Sequence, residues 1–114
     1  MKIPNTDRAV VDIVKLRDYC LNKRHPRGKH KAWLFESILG LTDVDAKELQ
    51  DMLLEIVQTH NAVEGRHDQY GKRYVIDFTM IKTMKQTVRS SWITRSNEDF
   101  PRLTSCYVLK NKEI

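Results

Sequence analysis

The sequence predicts an α+β fold: three N-terminal helices packed on one face of a roughly four-stranded antiparallel sheet. Three observations predict it. Apolar residues recur at helical spacing through Val57, and from Asn61 onward they alternate. Helices first and consecutive strands afterwards favour an antiparallel meander covered on one side. The 114 residues suit one core, centred on about 10–109, so residues 1–114 are expected to be a single domain.

Each element has a local reason. Val10 and Val11 form a lead-in fit to add an edge strand. Asp12 is a helix N-cap, and Val14, Leu16, Tyr19 and Cys20 give a first helix over Ile13 to Leu21. Pro26 and Gly28 break the chain between Asn22 and Gly28. A second helix runs from Lys29 to Leu39 with Ala32, Phe35 and Ile38 or Leu39 inward, and Gly40 ends it as a C′ residue. Thr42 or Asp43 caps a third, whose Ala46, Leu49, Leu53, Ile56 and Val57 face the core. Ala62 to Asp68 reads as a strand and Gln69-Tyr-Gly-Lys72 as a tight turn. Tyr74, Ile76 and Phe78 then mark the buried face of a second strand. Ile81 to Gln86 reads as a polar turn. A third strand spans Thr87 to Thr94, with Val88, Ser90 and Trp92 on one face and Arg89, Ser91 and Ile93 on the other. The last strand, Arg102 to Leu109, is expected to alternate strictly, with Leu103, Ser105 and Tyr107 sharing a face. Lys110 to Ile114 is expected to fray.

With four Gly and three Pro, long disordered segments are not expected. No stretch approaches the roughly 18 apolar residues of a membrane span, and Met1 to Arg8 lacks the apolar run of a secretory signal. A soluble, cytoplasmic protein is expected, with no membrane partner. Cys20 and Cys106 belong to no CxxC pair and read as reduced, buried thiols.

The net charge of +5 is unevenly placed. Lys23, Arg24, Arg27, Lys29 and Lys31, with His25 and His30, form a stretch without an acid. Asp43, Asp45, Glu48, Asp51 and Glu55 make the third helix acidic outside. Separated surfaces of this kind suit a polyanion on the basic side. The opposite sheet face is expected to present Arg73, Arg89, Ser91, Arg102 and Thr104, or their neighbours in a slipped register.

Several chemistries fit or fail on residue types. The histidine spacings match no zinc pattern, and no cofactor is implied. A Cys106–His nucleophile pair has no supporting local signature, and a phosphate-cradling glycine loop is missing. Metal-free RNA cleavage needs less. The substrate's 2′-OH is the nucleophile, so the protein supplies proton transfer and charge at the phosphorane. His25 or His30 is the candidate proton-transfer group, and Lys31 and Arg89 are the candidate phosphate stabilisers. Thr104 and Tyr107 complete the catalytic set. Lys29, Tyr70, Arg73, Ser91, Trp92 and Arg102 are candidate substrate contacts, with the aromatics able to stack bases. A solvated basic loop, with Lys31 lying along the core edge, is the competing structural reading of the first of these segments.

Lys15-Leu-Arg-Asp-Tyr19, His25 with Gly28-x-x-Lys31-Ala32-x-x-Phe35, and Leu39-Gly40 resemble a bacterial domain family. Tyr70-Gly71-x-x-Tyr74-Val75, Val88-Arg-Ser-x-Trp92 and Pro101-Arg-Leu-Thr-x-x-Tyr107 extend the resemblance. That family, formally of unknown function, occurs as stand-alone proteins encoded beside a small partner and as C-terminal domains of polymorphic toxins. The order of elements is also similar to the barnase–EndoU–colicin–RelE class of ribonucleases. The resemblance implies a metal-independent endoribonuclease toxin whose partners are RNA and a small, acidic antitoxin; a homo-oligomer is compatible with it. It also implies an active site on the open sheet face beside the first helices. His25, Lys31, Tyr70, Arg89, Ser91, Trp92, Thr104 and Tyr107 are the residues carried over, with Gly28, Ala32 and Phe35 structural. The alternatives are a non-catalytic basic module that binds nucleic acid or an acidic protein, and an enzyme acting on nucleotides or protein.

Overall fold

Apolar residues that alternate along four strands need a cover, and the N-terminal helices supply it. The computed structural model describes residues 1–81 and 85–109. The expected tail from Lys110 to Ile114 and the middle of the expected Ile81–Gln86 turn lie outside them.

Asp12 caps the first helix as its composition predicts, its Oδ1 accepting from the Val14 N–H at 2.9 Å. Helix α1 (Ile13–Lys15) then widens into a π turn over Leu16–Cys20. The Leu21 N–H closes that turn on the Leu16 carbonyl at 2.8 Å. The single helix expected over Ile13 to Leu21 is therefore two geometries in succession. Helix α2 (Lys29–Leu39) ends at Gly40, whose φ of 68° is the left-handed cap expected of glycine. Thr42 and Asp45 form a capping box ahead of α3 (Ala46–Thr59), which buries Ala46, Leu49, Leu53 and Val57.

The sheet is a four-stranded antiparallel meander in the order β1 (Val63–Asp68), β2 (Gly71–Ile81), β3 (Lys85–Arg95), β4 (Pro101–Val108). Strands β2 and β3 run longer than predicted: Ile81 pairs with Lys85 and Met80 with Gln86, inside the stretch read as a turn. The lead-in strand is a single parallel bridge from Val10 to Arg102, fixed by the Leu103 N–H donating to the Val10 carbonyl at 3.0 Å. It covers only the first half of β4.

The helices pack on one sheet face, where Leu16, Cys20, Phe35, Leu49 and Leu53 meet Tyr74, Ile76, Phe78, Val88, Trp92 and Cys106. Ser90 lies fully buried in this core. Its hydroxyl donates to the Ile76 carbonyl and accepts from the Trp92 indole N–H, both at 2.9 Å, so neither polar group is left unpaired. Gly28 is needed for closeness: a Cβ there would sit 2.6 Å from the Tyr19 carbonyl oxygen.

Strict alternation on β4 fails. Ser91 pairs with Ser105 but Trp92 pairs with Leu103, which leaves Thr104 as an extra residue in a β-bulge. Leu103 points inward, yet so do Cys106 and Val108, and Tyr107 turns to the open face. The expectation that Leu103 and Tyr107 share a face is corrected by that one inserted residue. Thr104 holds the bulge closed, its hydroxyl donating to the Ser91 carbonyl at 3.0 Å.

Candidate functional site

Once the bulge has turned Tyr107 outward, a row of polar side chains crosses the open sheet face. Asp77 on β2 pairs with Arg89 on β3, which pairs with Tyr107 on β4. Arg89 donates twice to Asp77, both at 2.9 Å. Asp77 first, and the Tyr107 hydroxyl second, hold the Arg89 guanidinium well above its already high ordinary pKa. The row continues off the sheet: the Lys31 ammonium, from α2, lies 4.6 Å from the centre of the Tyr107 ring.

A groove of about 590 Å³ runs beside this row, lined by Asp12, Val14, Lys15, Asp18, Tyr19, His25, Thr104 and Ser105. Its floor is the half of β4 that the lead-in bridge leaves uncovered. Lys15 reaches across to donate to the Thr104 carbonyl at 3.5 Å. The His25 ring meets Tyr19 edge-on, with centroids 4.8 Å apart. Its Nδ1 accepts from the backbone N–H groups of Arg27 and Gly28, both at 3.1 Å. With Nδ1 so occupied, the neutral ring carries its proton on Nε2 and offers a donor. Asp18, held below the usual carboxylate range by Arg17, keeps its charge at the groove rim. The groove lining thus holds both a carboxylate, on Asp18, and an ammonium, on Lys15.

Of the predicted catalytic residues, five gather along β4. His25 and Thr104 line the groove, and Lys31, Arg89 and Tyr107 form the adjoining row. Thr104 and Tyr107 are three residues apart on one strand, about 10 Å. His30 is exposed on α2, does not line the groove and makes no hydrogen bond or ion pair among the described residues, so it stands apart from the groove and the row.

The predicted substrate contacts fare less well. Ser91 pairs with Ser105 at the groove wall, and its carbonyl accepts from Thr104. Lys29 is exposed at the start of α2. Trp92 is fully buried and has no face for a base. Tyr70 is exposed in the β1–β2 turn, seven positions along β2 from Asp77 and so about 20 Å away. Arg73 is held by Asp68 at 2.9 Å and Arg102 by Glu98 at 2.8 Å, which neutralises both. Lys15, Arg24, Arg27, Lys29 and Lys31, by contrast, form no ion pair among the described residues. These five unpaired cations lie on the helices and loop beside β4; on the sheet, Lys85 and Arg95 at the two ends of β3 are also without an ion pair among the described residues.

Lys15, Tyr19 and Ser105 were not among the predicted site residues. Lys15 and Tyr19 stand four apart on the first helix, beside the Leu16–Cys20 stripe, with Tyr19 partly buried against the core, and that i, i+4 spacing was the available signal. Ser105 had none, because only the bulge reveals its face.

Among the described residues, no three His, Cys, Asp or Glu side chains gather to hold a metal ion. No helix there is long and apolar enough to cross a membrane.

A family model described as "Domain of unknown function (DUF6883)" matches residues 2–110. The chain belongs to this family. No curated protein matches the sequence. A solved structure titled "Contact-dependent growth inhibition toxin - immunity protein complex from Klebsiella pneumoniae 342" contains a chain of similar fold. The TM-score is 0.68 at 16% identity, covering 93% of this chain and 97% of that one. At that identity the likeness establishes a shared fold across nearly the whole DUF6883 chain.

Proposed function

We propose that this DUF6883 chain is a metal-independent endoribonuclease acting as the toxin of a bacterial pair, neutralised by a small, acidic antitoxin protein. One observation carries the reading: the Lys31 ammonium, the Tyr107 ring and hydroxyl, and the His25 groove converge on one segment of β4, beside cations without carboxylate partners. The fold shared with a chain of a growth-inhibition toxin–immunity complex supports the toxin role. The net charge of +5 suits a polyanionic substrate.

In this reading the substrate phosphodiester lies over the Thr104–Tyr107 segment, and its own 2′-OH attacks phosphorus, giving up its proton to solvent water as the P–O5′ bond breaks. Lys31 and the His25 Nε2–H compensate charge on the phosphorane, with Lys15 anchoring the neighbouring phosphate. The Tyr107 hydroxyl, on the residue paired with Arg89, passes a proton to the leaving 5′ oxygen and is reprotonated from solvent. Thr104 keeps the bulge, and so the Tyr107 orientation, in place. His25 acts as a hydrogen-bond donor, because its Nδ1 is already committed to two backbone N–H groups.

The test is incubation of purified protein with tRNA, mRNA and ribosomes in excess chelator. Cleavage is expected, and is expected to vanish in Lys31→Ala or Arg89→Ala. Salt-sensitive binding without cleavage by verified folded protein would replace the nuclease with a nucleic-acid-binding module. Expression with and without the neighbouring gene tests the pairing: growth arrest relieved by the neighbour is the expected result.

A further inference from the structure

The outward face of α2 carries a feature the groove does not use. Trp33 is 62% exposed, while the protein's other tryptophan, Trp92, is fully buried. At 3.6 residues per turn, Lys31 lies on the β4 side of α2, His30 next to it, and Trp33 with Lys29 beyond. The exposed side chains of Arg27, Lys29 and His30 form no hydrogen bond or ion pair among the described residues. Leu34 and Ile38 pack against the core, so the exposed apolar surface of this helix is one indole.

This combination separates two classes of partner. A protein hot spot needs apolar surroundings that exclude water from its anchor, and α2 offers none. A stacked nucleobase needs one aromatic face with cations beside it for the flanking phosphates, and that is what α2 presents. We propose that Trp33, flanked by Lys29 and His30, is a stacking subsite for an unpaired nucleobase of the RNA strand bound at the Lys31–Tyr107 end of the groove. The proposal rests on the ribonuclease reading for its substrate. The strand passes from Lys31 across His30 to Trp33, partway round a helix roughly 10–12 Å across.

The buried Trp92 makes the test specific, because acrylamide quenching of intrinsic fluorescence reads Trp33 alone. The probe is a single-stranded 2′-O-methyl oligoribonucleotide, which binds but cannot be cleaved through a 2′-OH. It is expected to quench Trp33 and shield it from acrylamide, whereas its duplex form does neither. Trp33→Ala is expected to weaken binding roughly 5- to 150-fold, with Trp33→Phe recovering most of it. Unchanged affinity in Trp33→Ala, or equal shielding by the duplex, overturns the subsite. Shielding only by an acidic protein overturns it in favour of a protein interface. A chain that binds the probe through Trp33 but leaves natural RNA intact retains the subsite and sinks the nuclease reading. Cleavage and binding both unaffected by Trp33→Ala sink the subsite alone.

Discussion

Replacing Lys31 by methionine separates the two roles open to this residue. The ammonium stands 4.6 Å from the Tyr107 ring centre, and the residue is only partly exposed. Methionine keeps a stem of similar length and removes the charge. The folded state then loses a half-exposed cation–π contact, about 0.5–1 kcal/mol. For a chain near 100 residues that lowers Tm by at most about 4–8 °C. A charge aimed at the phosphorane is worth far more, about 100- to 1,000-fold in rate when one such donor is removed. The assay pairs single-turnover cleavage of a labelled RNA in chelator with thermal unfolding of the same preparation. The expected result is a rate loss of that order with nearly unchanged stability. Tyr107→Phe keeps the ring under Lys31 and loses the hydroxyl that Arg89 contacts, so it too should slow cleavage while costing about 1 kcal/mol of stability at most. A Lys31→Met protein that cleaves within about threefold of wild type would refute the electrostatic argument. Lys31 would then be a packing residue only.

Two further perturbations test the scaffold. In Gly28→Ala the new Cβ meets the Tyr19 carbonyl at 2.6 Å, a backbone atom with no rotamer to escape through. The expected destabilisation is about 1–3 kcal/mol, read as a lower urea midpoint, and an unchanged midpoint would refute the close approach. Burial holds the thiols of Cys20 and Cys106 above their ordinary pKa, most strongly Cys106. The unfolded chain therefore loses these protons first as pH rises past about 8.5, and stability falls above that pH by up to about 1.4 kcal/mol per pH unit per thiol. Below it the thiols contribute no slope. Urea midpoints from pH 7 to 10 should fall more steeply for wild type than for Cys20→Ala/Cys106→Ala, and parallel slopes would count against the burial.

What the sequence discloses and what it hides divide along physical lines. The bounds of α2 are legible because Gly28 and Gly40 punctuate them, and the buried face of β2 because Tyr74, Ile76 and Phe78 alternate cleanly. The π turn is not legible, since Leu16 and Cys20 fit a core stripe whether Leu21 bonds four or five residues back. The bulge is hidden for a similar reason: Thr104 and Ser105 are both small and polar, so nothing in the alternation marks which is extra. Half of the site follows from residue chemistry, notably Lys31, Arg89 and Tyr107. Trp92 illustrates the opposite failure. An aromatic beside serines on a strand looks like a stacking platform until Ser90 turns out to be the buried acceptor of its indole N–H.

Charge is where the structure changes the argument most. Arginines on an open sheet face invite a polyanion, yet Arg73, Arg89 and Arg102 each have a carboxylate at 2.8–2.9 Å. Those partners come from the end of β1, from β2 and from the loop before β4, so the strand pairing and the loop conformation bring them close. A paired guanidinium presents little net field, whereas an unpaired ammonium at a groove edge presents all of it. Of the cations without an ion pair among the described residues, Lys15, Arg24, Arg27, Lys29 and Lys31 come from the first helix and from the acid-free stretch before and into α2, while Lys2, Lys85 and Arg95 lie elsewhere. The largest sequence-contiguous group of unpaired cations thus forms a helix-and-loop surface flanking β4. The row of Asp77, Arg89 and Tyr107 meets that surface at a single point, where Lys31 lies over the Tyr107 ring. In the proposed reading attraction and chemistry come from different elements, and Lys31 is the residue that belongs to both.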